Sequence, residues 1–349
     1  MAAPLLPTTL VGSLPRPGWL ATPESVRPDW RLEGALLAEG QDDAVLVALK
    51  LQEDLGLDIV TDGEQRRRHY IEGFTRGLEG FDYTILVEKR TRGDRYTAPV
   101  PTVAQPVVRR QPVLLAALQF ARAHTTRRLK VTIPGPMTIA DTSHDAYYHD
   151  ERAFALAIAD AINAEARELA AAGADVIQID EPCFNIYLDK VEAWGIAALD
   201  RCLDGVAATT AVHVCYGYGT PAVLAWKQQN CDWSQYQRLL PLLRASRVQQ
   251  VSLEFAAPGV DPAVLRLAGD KDVLYGCVDV SPAPAEPVAA VAARLRAALA
   301  HVPPERLYPC TDCGMAPLPR RLAEAKLAVL VAATRQVRAE LTGGAPGHA

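Results

Sequence analysis

Residues 173–182 read GADVIQIDEP. The stretch opens on a glycine, passes through Val176, Ile177 and Ile179, and stops on two carboxylates and a proline. Upstream, AFALAIADAINAEARELAAAG (153–173) carries apolar residues at helical spacing, and Gly173 suits the left-handed position that ends a helix. The order is therefore helix, glycine turn, short apolar strand. A strand apolar on successive residues suits burial on both faces, as in a parallel sheet. The two acids then fall where the chain leaves the sheet.

The pattern recurs. Seven further segments resemble DVIQI (175–179): TTLVG (8–12), LDIVT (57–61), LKVTI (129–133), TAVHV (210–214), QVSLE (250–254), VLYGC (273–277) and RLYPC (306–310). Helical patterns lie between most of them. PVAAVAARLRAALAHV (287–302) opens on proline, and a last helix is expected from about Arg320 to Leu341. Eight alternations predict an α/β fold, a (β/α)8 TIM barrel in one catalytic domain over 1–349. A doubly wound sheet would carry an early GxGxxG phosphate fingerprint, which does not occur. Between the second and third strands, FDYTILVEKRTRGDRYTAPVPTV (81–103) alternates polar and apolar residues about an RGD turn (92–94). That predicts a β-hairpin insertion after strand 2, over the top of the barrel. The tail 343–349 is expected to be flexible.

Bulk properties narrow the function. The 349 residues are 49% hydrophobic and 22% charged, with net charge -5. The acidic balance argues against nucleic acid or an anionic membrane as the main partner. No apolar run approaches the roughly 20 residues that span a bilayer. MAAPLLPTTL lacks a basic n-region and a long apolar core, so no signal peptide is expected. Seven cysteines (183, 202, 215, 231, 277, 310, 313) do not suggest a disulfide framework and fit a reducing cytoplasm.

In such a barrel the active site collects at the C-terminal ends of the strands. Those ends carry Ser13, Asp62 and Glu64, the PGP turn (134–136), Asp180 and Glu181, His213 and Cys215, Glu254, Asp279, and Cys310, Asp312 and Cys313. Carboxylates, thiols and one imidazole on one rim are poor packing residues. His, Cys and carboxylate are normal zinc ligands, and sulfur disfavours magnesium or calcium. Each piece alone has a plainer reading: HxC as an ordinary strand end, CxxC (310–313) as redox or structural, and DEP (180–182) as a helix start. The conjunction predicts a bound Zn2+. The basic run RRRHY (66–70) reads as a solvated helix face or, alternatively, as a contact to phosphate or carboxylate groups of a second substrate, and Asp279 with Ser281 as a ligand support or a helix cap. His69, His144 and His149 read as surface histidines.

These residues resemble the catalytic barrel of cobalamin-independent methionine synthase, a zinc thiol-methyltransferase family related to the uroporphyrinogen decarboxylase superfamily. The matching stretches are TTLVGSLPRP (8–17), GADVIQIDEP, HVCYG (213–217), VSLEF (251–255), VDVSP (278–282) and DCGM (312–315). The resemblance implies that His213, Cys215, Glu254 and Cys313 bind zinc, with Cys313 preferred to Cys310. It implies that Ser13, Glu64 and Asp180 hold homocysteine by its carboxylate and ammonium. Glu181, Asp279 and Asp312 are candidates to orient the ligands from behind. The implied reaction moves a methyl group from 5-methyltetrahydrofolate, its polyglutamate form, a methylcorrinoid or another carrier, free or on a partner protein, to the homocysteine thiol. On the donor side the chain departs from the family. VDVSP lacks the histidine that follows the seventh strand, and PGPMTIADTSHDAYY lacks the pterin-stacking tryptophan, offering Tyr147 and Tyr148 instead. Alkylation of another thiol such as coenzyme M is an alternative, although Glu64 and Asp180 would repel its sulfonate. A non-catalytic, zinc-stabilised amino-acid-binding barrel is a second.

Overall fold

The computed structural model describes residues 4–230 and 232–343. Ten strands are present: β1 (Ile59–Val60), β2 (Glu79–Thr91), β3 (Tyr96–Val108), β4 (Arg128–Pro134), β5 (His144–Asp145), β6 (Val176–Asp180), β7 (Thr209–Val214), β8 (Gln250–Glu254), β9 (Asp272–Val278) and β10 (Leu307–Thr311). Seven of them form one parallel sheet in the order β1-β4-β6-β7-β8-β9-β10. Helices on the connections cover the outer face, among them Glu151–Ala171, Val288–Leu299 and Arg320–Leu341. Gly173 lies at φ +100°, as its place after the first of these requires.

The expected first strand, 8–12, is not regular strand, yet it lies between the two edges of the sheet. Asp58 and Ile59 donate backbone N–H to Thr8 O (3.1 and 3.0 Å), and Thr9 N donates to Pro309 O (3.1 Å). The ladder stops there because side chains take its remaining groups. Val11 N donates to Thr311 Oγ1 (3.1 Å), while Lys130 Nζ, Gln178 Nε2 and Thr61 Oγ1 donate to the carbonyls of Leu10, Val11 and Gly12.

Alternation along the strands sorts residues to two faces. Ile177, Ile179, Val212, Val214, Val251, Leu253 and Val273 join the large core between sheet and helices. Val11, Ile59, Val176, Ala211, Leu274, Tyr308 and Cys310 form a separate inner cluster. Counting by twos from Val176 gives Gln178 and Asp180, and from Ala211 gives His213 and Cys215. The chemistry-bearing residues thus share the inner face and stack toward the strand ends.

β2 and β3 pair antiparallel from Glu79↔Val108 to Thr91↔Tyr96, so the hairpin is longer than 81–103. Its turn falls on Arg92, Gly93 and Asp94, all left-handed (φ +55°, +63° and +63°). The RRRHY run is not a helix face. Arg67 is buried and donates to Thr132 O (2.8 Å), Arg66 lies over the Phe120 ring (4.9 Å), and only Arg68 is well exposed. Of the expected tail, 344–349 lies outside the described residues.

Candidate active site

β7 ends with His213 facing inward, and Cys215 follows it. His213 Nδ1 meets Ser252 Oγ on β8 (2.9 Å), which fixes the ring so that Nε2 points the other way. His213 Nε2 is buried and has no hydrogen-bond partner. Cys215 Sγ lies 3.4 Å from Cys313 Sγ, just past β10. One ligand atom from each of His213, Cys215 and Cys313 falls within 4.8 Å of the others. The Cys313 hydrogen bond chiefly draws the Cys215 thiol well below its usual range. Cys313 is pushed up in turn, first by the same contact and then by burial. Cys310 belongs instead to the inner apolar cluster.

Glu254, expected beside these three, is engaged elsewhere. It is fully buried, with Oε1 paired to the Lys227 ammonium and Oε2 accepting from Tyr216 N (2.8 Å). Burial pushes its pKa up to about 7, and Lys227 pulls it back.

Ser13, Glu64, Asp180, His213, Cys215 and Cys313 all line one cavity of about 430 Å³. Glu64 sits at φ +56°, an unusual conformation for a side chain with a Cβ. Its Oε1 accepts from Thr132 Oγ1 (2.9 Å). Asp180 accepts from Gln178 Nε2 (2.8 Å), and burial, with Glu64 nearby and His213 opposing, raises it to about 7. Ser13 Oγ accepts from Ala316 N (3.3 Å) and lies, like the Tyr218 ring, against Gly314. The glycine makes that approach possible, since a Cβ there would lie 2.3 Å from Ser13 Oγ.

The three supporting candidates differ in role. Asp312 accepts three backbone N–H groups, from Phe255 (3.0 Å), Ala256 (2.9 Å) and Ala257 (2.6 Å), and so fixes the chain just past Glu254. Glu181 reaches across to the start of the helix Pro136–Asp141, accepting from Met137 N (2.8 Å), Thr138 N (3.0 Å) and Thr138 Oγ1 (2.8 Å). A carboxylate there meets free N–H groups and the positive end of the helix. The Asp279 carboxylate accepts from Ser281 N (2.8 Å) and Oγ (2.5 Å), its backbone carbonyl accepts from Lys326 Nζ (2.9 Å), and the next helix begins at Val288 without its help.

Sequence reasoning missed most of the outer wall. Arg92, at the hairpin tip, is buried and donates to Tyr70 Oη (2.7 Å) and Cys183 Sγ (3.0 Å). Its backbone N donates to Asp141 Oδ2 (3.0 Å), and Gly93 N to Tyr187 Oη (2.8 Å). Arg95 stacks over Trp226 (3.5 Å). Arg92, Arg95 and Tyr96 therefore line the cavity together with Tyr70 and Tyr218. His69 also lines it, with burial drawing its pKa well down, whereas His144 and His149 are exposed as expected. Tyr147 and Tyr148 do not line it; Tyr148 stacks on Phe154 and accepts from Val107 N at the hairpin base. The one local signal for Tyr218 was its place in CYGYG, directly after the HxC pair.

A parallel α/β sheet that gathers imidazole, thiols and acids at its strand ends, around a walled cavity, is the build of an enzyme that handles a thiol. Comparison with known proteins makes this specific. Residues 6–336 match the family described as "Cobalamin-independent synthase, Catalytic domain". The chain is 34% identical over 339 residues to methionine synthase of Sulfurisphaera tokodaii, covering 97% of this chain and 94% of that protein. It is 33% identical over 341 residues to methionine synthase of Saccharolobus solfataricus, covering 97% and 96%. Its fold matches a B12-independent methionine synthase from Shewanella sp. W3-18-1 in complex with selenomethionine, with TM-score 0.95, 43% identity, and 97% and 99% of the two chains covered. The chain belongs to the cobalamin-independent methionine synthase family and is a methyltransferase.

Proposed function

We propose that the chain transfers a methyl group to the thiol of homocysteine, forming methionine, with Zn2+ held by His213, Cys215, Cys313 and Glu254. The observation that carries this reading is the buried, unpartnered His213 Nε2 beside two thiol sulfurs 3.4 Å apart, in the same cavity as Ser13, Glu64 and Asp180. That donor set suits zinc. Zinc there would supply the Lewis acidity that keeps the substrate sulfur as thiolate at neutral pH, where a thiol of pKa about 8.5 is mostly protonated.

The chain's own residues do the rest. Glu64 and Asp180 receive the substrate ammonium between them, and Ser13 takes its carboxylate. Ser252 holds the His213 ring in one orientation. The methyl donor is placed against Arg92, Arg95 and Tyr96, which line the cavity. The donor is 5-methyltetrahydrofolate, its polyglutamate form, or a methylcorrinoid or other carrier, presented free or by a partner protein. We read the seven-stranded sheet and segment 8–12 as one closed eight-stave TIM barrel, a single cytoplasmic domain with the hairpin as its insertion. Among the described residues, no helix is long and apolar enough to cross a membrane.

The test is methionine formation by zinc-loaded protein, with methyl-folate, its polyglutamate form and methylcobalamin offered in parallel. Product from any donor is the expected result. Protein that binds neither zinc nor homocysteine would refute the reading.

A further inference from the structure

We propose that Lys227 is the receiving partner of Glu254, taking its carboxylate when a substrate thiolate claims that ligand's place on the metal. The inference rests on the zinc reading above and adds a residue to it.

Glu254 closes β8 and is fully buried. Its Oε1 is paired with Lys227 Nζ, and its Oε2 accepts from Tyr216 N, one peptide beyond Cys215. Lys227 comes from outside the sheet, on the helix Pro221–Gln229, and its side chain is only 8% exposed. Its ammonium also donates to Gly217 O (3.2 Å), so it is anchored to the loop that follows the HxC pair. The carboxylate is thus held by a cation at the edge of the histidine–thiol cluster.

The charge balance explains why a cation belongs there. His213, Cys215 and Cys313 offer three ligand atoms, and zinc takes four. Bound zinc would be held by these three with Glu254 as the fourth ligand, and a homocysteine thiol, its proton released to solvent, would offer the metal a sulfur of the same charge as the Glu254 carboxylate. Such a replacement would leave ligand number and net ligand charge unchanged, and the freed carboxylate would need a partner, because Glu254 is fully buried and an uncompensated buried charge is prohibitive. Lys227, already paired with Glu254 Oε1, supplies that compensation. A lysine that merely braced the site and one that competes with the metal for Glu254 then differ in sign. Losing a brace weakens metal binding, by roughly 10–100-fold for groups behind a ligand. Losing a competitor tightens it.

The experiment compares wild type, Lys227→Met and Lys227→Arg by chelator competition for zinc and by calorimetric titration of the zinc-loaded proteins with homocysteine. Lys227→Met is expected to bind zinc about 10-fold or more tightly than wild type, and homocysteine about 10-fold or more weakly, with Lys227→Arg close to wild type. Unchanged or weakened zinc binding in Lys227→Met would overturn the proposal. Should that variant not fold, acylation of Lys227 in wild type, read by mass spectrometry, decides. Its reactivity rises on adding zinc and falls back on adding homocysteine; a flat response overturns the proposal. Wild type that binds no zinc removes the zinc reading and this inference together, whereas failure of the Lys227 arms alone leaves the zinc reading standing.

Discussion

Asp312→Asn is a nearly isosteric change with a large expected cost. The Asp312 carboxylate is fully buried and accepts three backbone N–H groups, two on Oδ1 and one on Oδ2. Burial, and then Glu254, push its pKa well up, and the three donors oppose that rise. Asparagine can keep its oxygen at the Oδ1 position, preserving the bonds from Phe255 and Ala256 in weaker, neutral form. Its NH2 then faces Ala257 N–H, donor against donor. One charge-assisted bond is lost, one buried N–H is left unpaired, and two bonds weaken, at about 1–3 kcal/mol for the first two together and about 1 kcal/mol for each of the others. Relief from burying a charge offsets part of this, leaving a destabilisation of about 2–4 kcal/mol. Equilibrium urea unfolding should show a lower midpoint at unchanged slope. Amide exchange should quicken first at Phe255–Ala257. A stability within about 0.5 kcal/mol of the parent, the range of an ordinary surface change, would refute the claim that Asp312 fixes this segment.

Ser252→Ala removes the partner of His213 Nδ1 and should weaken zinc by about 10–100-fold in chelator competition while the fold persists. Cys215→Ser should lose its metal and Cys310→Ser should keep one equivalent, read by metal analysis after dialysis. Burial raises the Cys310 thiol from 9.0 to about 11. The unfolded chain therefore ionises first: the contribution is intact below about pH 9 and is lost as pH rises toward 11, by up to about 3 kcal/mol. The stability of Cys310→Ala should fall less steeply over that window in pH-dependent urea melts; an identical slope would count against it. Arg92→Met cuts the hairpin tip from Tyr70 and Cys183, so amides across 79–108 should exchange faster while those of β6 and β7 do not.

The inner-face residues were legible in sequence because strand alternation is strict and the runs are short. Asp180, His213 and Cys215 could be placed on one rim by counting in twos from apolar neighbours. The helix Arg320–Leu341 was legible to the residue. Segment 8–12 was not, because its pairing is broken by Thr311, Lys130, Gln178 and Thr61, side chains far away in sequence. The RRRHY run misled because arginine reads as a surface residue, whereas Arg67 finds buried carbonyl and hydroxyl acceptors on Thr132. The Lys227–Glu254 pair joins a helix to a strand end 27 residues on, with no local signal in either.

The cavity draws its floor and its wall from separable parts of the chain. The histidine, thiols and acids project from the sheet, which tolerates little change. One part of the wall is the hairpin, held at its tip through Arg92 and Gly93 and at its base by Tyr148. Substitutions along 79–108 can therefore reshape one side of the cavity without touching the histidine, thiols and acids at its floor. Thiol chemistry and donor choice can evolve at different rates in such a molecule, and relatives sharing every floor residue need not share a donor.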